Sequence, residues 1–337
     1  MNFSQYARVA HFNTTHLRRQ SFYALPRAHI KLLSEPPFSY LETLNLVDDA
    51  IDKNAELANA IYHSGLRSFG ISQGAKELPQ WRGTATSNDL EKARSTLRQF
   101  YRDWSKEGSA ERQACYGSVI KALQSERSLH SGHSMRILVP GAGLARLVFD
   151  LCHLGFHTEG NEISYHQLLA SSYILNHCVG AQAHDIHPWV HSFSNNRNRT
   201  NHLRSVKIPD IHPATTLGGI ENPGQMSMSA SDFLLLYGSE EHRETFDAVV
   251  TLFFLDTAPN VIRYIEAIKN CLHPGGLLVN TGPLLWHFEN NAPGTHGREK
   301  DLDTMAGQGK LSSVDIFSHS SSKLARYCRS WLVRIDG

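Results

Sequence analysis

Apolar residues recur at helical spacing through residues 40–125. In YLETLNLVDDAIDKNAELANAIYHSGL, Leu41, Leu44, Leu46, Val47, Ile51, Leu57 and Ile61 fall mostly three or four apart with acids between them, the period of an amphipathic helix. SNDLEKARSTLRQFYRDWSKEG opens with a cap at Ser87 or Asn88 and ends at Gly108, and AERQACYGSVIKALQS continues as a further helix. From Met135 the pattern changes to short apolar strands alternating with helices: RILVPGA, LARLVFDLCHLG, FHTEGNE, SYHQLLASSYILNHC. That alternation predicts an α/β fold, a doubly wound parallel sheet with helices on its faces. Further on, FDAVVTLFFLD reads as a buried strand, NVIRYIEAIKNCLHPGG as a helix closed by Pro-Gly-Gly, and LLVNTGPLLW as another strand.

These patterns divide the chain into a helical region over 1–130, a core over 131–290 carrying a polar, turn-rich insertion at 180–230, and a tail over 291–337. Much Gly, Ser and charge without periodicity predicts that the tail is partly disordered. Only LARYCRSWLVRI within it has the pattern of a final strand or a short helix.

Composition narrows the function classes. The 33 basic and 32 acidic side chains leave a formal charge of +1, which gives no electrostatic case for nucleic acid. Five scattered cysteines, none in a C-x-x-C pair, argue against a disulfide framework or a zinc cluster. His184, His187 and His191 in HDIHPWVH have no cysteine or clustered acid beside them, so no metal site is expected. No apolar run reaches the roughly 20 residues of a membrane helix, and the start of the chain lacks the apolar core of a secretory signal. The expected location is the cytoplasm, with the nucleus also open, and Arg18 and Arg19 are expected as an exposed pair.

The candidate chemistry begins at ILVPGAGLARL, a glycine turn between a strand and a helix. Gly141 and Gly143 permit backbone angles and a close ligand approach that a side chain would block. The turn lacks both the G-x-G-x-x-G of a dinucleotide fingerprint and the Lys-Ser/Thr of a P-loop. Glu162 follows Gly141 by 21 residues, at the end of the next strand, where an acid can accept both ribose hydroxyls of a nucleoside. An adenosine cofactor without a pyrophosphate, S-adenosylmethionine, fits this combination; a turn that merely packs helix on sheet is the plainer alternative. In SASDFLLLYG, Asp232 and Phe233 suit an adenine amino group and ring, and Asp232 equally suits a helix cap. Asp256 ends the strand TLFFLD, as a ligand-facing acid or as the cap of the helix starting near Asn260.

From about Asp89 to Asn290 the chain resembles the carnosine N-methyltransferase family, through LRQFYRDWSKEGSAERQACY, ILVPGAGLARLVFDLCHLGFHTEGNEIS, HPWVHSFSNN, DFLLLYG, FFLDTAPNVIRYIEAI and GPLLWHFEN in the same order. The resemblance implies a Rossmann-like class I methyltransferase sheet and the cofactor S-adenosylmethionine. It implies cofactor contacts at Gln99, Arg102, Gly141, Glu162, Asp232 and Phe233, with Arg102 toward the methionine carboxylate. Ala145 stands where the family pattern often has glycine. HPWVHSFSNN reads as a loop covering the pocket. The resemblance further implies that Asp256 and His287 contact carnosine and fix its imidazole, giving anserine. A small histidine-containing peptide is therefore the expected partner, without nucleic acid or membrane, and a homodimer is left open.

After HFEN the family continues through helix and strand to a tyrosine-rich strand near the substrate, and residues 291–325 depart from that pattern. Tyr327 is the one candidate for such a tyrosine, and the sheet's last hairpin is expected to be incomplete. Two alternatives follow: a cofactor-binding or interaction protein with an incomplete substrate site, or a methyltransferase of other histidine peptides or proteins.

Overall fold

The computed structural model describes residues 2–71, 86–129, 134–283, 285–290 and 329–334. The chain opens with α1 (Tyr6–His11), a π-helical turn (Phe12–His16), α2 (Leu17–Tyr23), α3 (Arg27–Ser34), α4 (Tyr40–Ser68), α5 (Ser87–Trp104) and α6 (Ser109–Leu129). There follow β1 (Arg136–Pro140), α7 (Arg146–His153), β2 (His157–Asn161), α8 (Tyr165–Asn176), β3 (His184–Ile186), α9 (Arg199–His202), β4 (Val206–Ile208) and α10 (Pro213–Gly218). The last elements are β5 (Met226–Ser229), α11 (Phe233–Tyr237), β6 (Phe246–Leu252), α12 (Val261–Cys271), β7 (Leu272–Gly282) and β8 (Arg329–Arg334). They form two compact units, one of residues 1–109 with 169–214, the other of 110–168 with 215–337.

The first unit is built on α4, whose buried stripe is Leu44, Val47, Ile51, Leu57 and Ile61; Leu46 lies off it, half exposed. The start of the chain packs into the same core, with Phe3, Tyr6 and Phe22 buried. Asn54 donates to the Tyr6 hydroxyl at 3.1 Å, and Tyr6 bonds His191 Nε2 at 2.7 Å. Arg18 and Arg19 are not an exposed pair. Arg18 lies 4.1 Å from the Phe193 ring centroid and Arg19 pairs with Asp48 at 2.7 Å. The three histidines of HDIHPWVH also have protein partners: His184 bonds the Tyr173 hydroxyl and His187 Nδ1 donates to Leu203 O. β3 and β4 pair antiparallel within this unit.

The second unit is a six-stranded sheet in the order β5-β2-β1-β6-β7-β8. The first five strands are parallel, and β8 runs antiparallel beside β7. Pro140 is level with Asn161, and Asn161 with Ser229, so the carboxyl ends of β1, β2 and β5 share one edge. Ligands of doubly wound sheets bind outside that edge. On the other side of β1, Leu138 is level with Val249 of β6 and Leu252 with Thr281 of β7.

One local expectation changes, and one open alternative closes. Pro-Gly-Gly does not close α12: the helix stops at Cys271, and the Pro-Gly-Gly residues belong to the start of β7. Leu272 to Leu277 spans the same length of β6 as Phe246 to Ala248. The chain bulges there, with Gly275 at φ +77°, a conformation glycine adopts without steric cost. In LARYCRSWLVRI, Arg329–Arg334 is a strand. Of the last hairpin, expected to be incomplete, the strand β8 is present and pairs antiparallel with β7; Tyr327 and the tail expected to be partly disordered fall on residues 291–328, outside the described residues.

Candidate functional site

The turn after β1 runs through three left-handed residues, Gly141 at φ +65°, Gly143 at +58° and Ala145 at +59°. At Gly141 a side chain is excluded twice over, because a Cβ would come within 2.7 Å of the Phe254 ring. A Cβ on Gly143 would meet nothing nearer than Gln167 Oε1 at 3.7 Å, so this shoulder of the turn is open to a ligand. Ala145 precedes α7 in a conformation that costs an L-residue roughly 1–2 kcal/mol, which accounts for the glycine the family pattern often has there.

Glu162 holds the turn closed. Its Oε2 accepts the Gly143 N–H at 3.0 Å, and its Oε1 accepts the N–H groups of Ile163 and Ser164 at 2.9 and 2.8 Å. The residue is buried. An ionised carboxylate offers about four acceptor positions, and three are engaged by backbone, leaving room for one more donor on the oxygen facing Gly143.

Asp232 caps α11, accepting the Leu235 N–H at 3.1 Å. Among the described residues no hydrogen bond falls on its other carboxylate oxygen. Phe233 is buried, edge-on to Phe254 at 5.2 Å and stacked on Tyr264 at 5.4 Å between centroids, so it belongs to the core beneath the turn.

Asp256 does not cap the helix that follows it; Asn260 does, accepting the Arg263 N–H at 3.2 Å. The Asp256 side chain is 8% exposed, and His287 Nε2 lies 3.5 Å from its Oδ2, too long for a strong hydrogen bond. The His287 N–H donates to the Asp256 carbonyl at 3.0 Å, and Trp286 Nε1 donates to Ala258 O at 2.8 Å. The segment after β7 is thus tied back over the end of β6, with the His287 ring half exposed. Burial pushes the Asp256 carboxyl above the usual carboxylate range, opposed by its own backbone N–H and by His287. A carboxylate so placed is ready to accept an N–H from a bound molecule.

Gln99 and Arg102 lie one turn apart on α5 in the first unit, both half-buried. Arg102 gives Nε and Nη2 to the buried carboxylate of Asp103 at 2.6 and 3.1 Å, a pairing that fixes the guanidinium.

Phe254 and Phe253 escaped the sequence reading. The Phe253 N–H donates to Thr281 O at 2.9 Å with the residue at φ +53°, an outlier for a bulky side chain. This kink ends β6 and turns Phe254 onto Gly141. The only signal in the sequence is that FF follows a strand already long enough to be complete.

A family model described as carnosine N-methyltransferase matches residues 79–323. The carnosine N-methyltransferase of Schizosaccharomyces pombe is 39% identical over 302 residues, covering 89% of this chain and 78% of that protein. That of Rattus norvegicus is 37% identical over 297 residues, covering 86% and 70%. Among solved structures, a CurJ carbon methyltransferase aligns with a TM-score of 0.45 at 10% identity, over 91% of this chain and 70% of that one. By the matched span and these identities, the chain is a methyltransferase and belongs to the carnosine N-methyltransferase family.

Proposed function

We propose that the chain transfers a methyl group from S-adenosylmethionine to an imidazole nitrogen of carnosine, β-alanyl-histidine, giving anserine. The observation that carries the acceptor side is the Asp256 carboxyl group, buried in the turn that follows β6, with a ring nitrogen of His287 3.5 Å away. The cofactor side rests on the glycine turn with Glu162. The open shoulder at Gly143 and the remaining acceptor position on Glu162 suit one ribose hydroxyl; accepting both would displace a backbone N–H. Asp232 has a carboxylate oxygen to offer the adenine amino group, and Phe233 acts through the packing that supports Phe254. Gln99 and Arg102 are assigned to the cofactor from the family resemblance, and their role is part of this proposal. So are the cytoplasmic or nuclear location and a homodimer.

When bound, S-adenosylmethionine supplies an electrophilic sulfonium methyl. The chain's task is orientation. An imidazole with a pKa near 6.5 is mostly neutral at neutral pH and already nucleophilic, so no strong base is required. Asp256 accepts the N–H of one ring nitrogen, which leaves the lone pair of the other exposed, and His287, whose Nε2 is 3.5 Å from that carboxyl group, stands on the same side of the ring; the methylated ring then gives up its N–H proton to solvent. Alignment of this kind supplies up to roughly 7–11 kcal/mol of a barrier.

The test is incubation of the full chain with carnosine and S-adenosylmethionine, with the product identified by mass and by the position of the new N-methyl in NMR. Anserine is expected. Binding of the cofactor product S-adenosylhomocysteine with no methylated carnosine overturns the acceptor assignment.

A further inference from the structure

Asn161 is the last residue of β2 and is 3% exposed. A buried amide at a strand end must find partners for its polar atoms or lose their hydration. Here Nδ2 donates to Ser229 Oγ at 3.1 Å and to the Ser231 carbonyl at 3.0 Å. The Asn161 backbone carbonyl accepts the Ala142 N–H of the glycine turn at 2.9 Å. The next residue, Glu162, donates its own N–H to the Ser229 carbonyl at 3.0 Å. One residue thus joins the glycine turn to the segment leading from β5 into α11.

That segment is anchored again on its far side. Ser229 Oγ also bonds the Tyr237 hydroxyl at 2.8 Å, and Tyr237 donates to Glu159 of β2. Only Ala230, Ser231 and Asp232 separate β5 from α11, so two anchors on β2 set where Asp232 stands. The bond to the Ser231 carbonyl acts on the peptide immediately before Asp232.

We propose that Asn161 is a positioning residue for the adenine of the cofactor, holding the Ser229–Asp232 segment where the Asp232 carboxylate meets the adenine amino group. This rests on the S-adenosylmethionine reading above. It adds a residue whose effect is specific to one end of the ligand: loss of the Asn161 amide lets Asp232 drift from the amino group, while Glu162 and the glycine turn keep their own bonds.

The experiment compares binding of S-adenosylhomocysteine and S-inosylhomocysteine, in which oxygen replaces the adenine amino group, to the full-length chain by calorimetry. The wild type is expected to prefer the adenosyl compound by about tenfold, the value of one hydrogen bond. In Asn161→Ala that preference is expected to fall toward one, mainly through weaker binding of the adenosyl compound. Ser229→Ala removes one of the two acceptors of the Asn161 amide and keeps the bond to the Ser231 carbonyl, so it is expected to lower the preference part of the way, and it carries the test should Asn161→Ala fail to fold. An unchanged preference in a folded variant overturns the proposal even where overall affinity drops, since a merely structural role would weaken both ligands alike. A wild type that binds both equally overturns the role of Asp232, and with it that of Asn161. A wild type that binds neither overturns the cofactor reading itself.

Discussion

His287 is held to Asp256 at two levels: its backbone N–H donates to the Asp256 carbonyl at 3.0 Å, and its Nε2 stands 3.5 Å from Oδ2. The backbone bond sets the approach, and the looser side-chain pair leaves the carboxylate able to take an N–H from a ligand. Asp256→Asn is therefore expected to lower turnover about 10²-fold, the cost of a misaligned reacting pair. Its effect on stability runs the other way. Burial raises the Asp256 pKa on folding, so the folded chain holds this proton more tightly than the unfolded one. That contribution to stability is present below the ordinary carboxylate range and is lost as pH rises through the raised value. At pH 7 the charge is a liability, and Asp256→Asn should melt at or above the wild-type temperature, with the gap closing near pH 4. A lower melting temperature at pH 7 contradicts this.

His287 itself is half exposed, and its side chain supports little of the fold. His287→Ala should change stability by no more than about 0.5 kcal/mol, as for other surface substitutions. Steady-state kinetics with carnosine should show a raised KM and a smaller fall in kcat, because the ring bounds the acceptor without accepting its proton. Equal and large losses in both would instead place His287 in the chemical step.

Gly141 combines a left-handed backbone with the Phe254 ring against its Cα. Gly141→Ala is expected to lose at least about 1–2 kcal/mol from the φ angle alone, plus the contact with Phe254, and to weaken binding of S-adenosylhomocysteine. Adding Phe254→Leu to the same chain should recover the contact part and leave the backbone part. Chemical denaturation of the wild type and the two variants separates the two parts, and full recovery in the double variant would show that φ costs nothing here.

Ala145 offers the opposite experiment. At φ +59° just before α7, it carries a strain that glycine would not. Ala145→Gly should raise stability by up to about 1 kcal/mol, the relief of the left-handed penalty less the extra chain entropy of glycine when unfolded. A loss of stability on urea titration would mean that the buried methyl packs better than the strain costs.

Much of this layout is written locally. The period of α4, the strand–turn–helix at Gly141 and the placement of Glu162 depend on neighbours within a few turns or strands, and periodicity and spacing report them. Other features depend on partners far along the chain. Tyr6 is buried because His191, 185 residues on, meets its hydroxyl, and nothing near Tyr6 announces that. That Asp256 does not cap α12 shows only once Asn260 is seen to do so. Phe254 over Gly141 needs β6 beside β1, and Pro-Gly-Gly reads as a helix stop until β6 pairs on both sides of it. Arg102 was legible as a cation, yet its pairing with the adjacent Asp103 is a rotamer choice that spacing does not express.

The N-terminal helices are joined to α4 through a cluster of His11, Asp48, Asp52 and Arg19. His11 Nδ1 and Nε2 lie 2.8 Å from Asp48 and Asp52, while Asp48 also accepts Thr15 and pairs with Arg19 at 2.7 Å. Partial burial alone would lower the His11 pKa; the two carboxylates outweigh it and raise the value above that of free histidine. The sign follows: a histidine that gains basicity on folding stabilises fully below its unfolded pKa of about 6.5 and loses that contribution as pH rises through the raised value. Asp48 is shifted down, burial being outweighed by Thr15, His11 and Arg19, so its share persists above the usual carboxylate range and fades only in acid. His11→Ala should therefore cost more stability at pH 6 than at pH 8.5, read as the difference in urea midpoint from wild type at each pH. High salt should shrink the pH 6 effect, because the cluster is partly exposed and screened. A His11→Ala deficit that is the same at both pH values would show that the ring serves by shape and packing, with its charge irrelevant to holding α1 on α4.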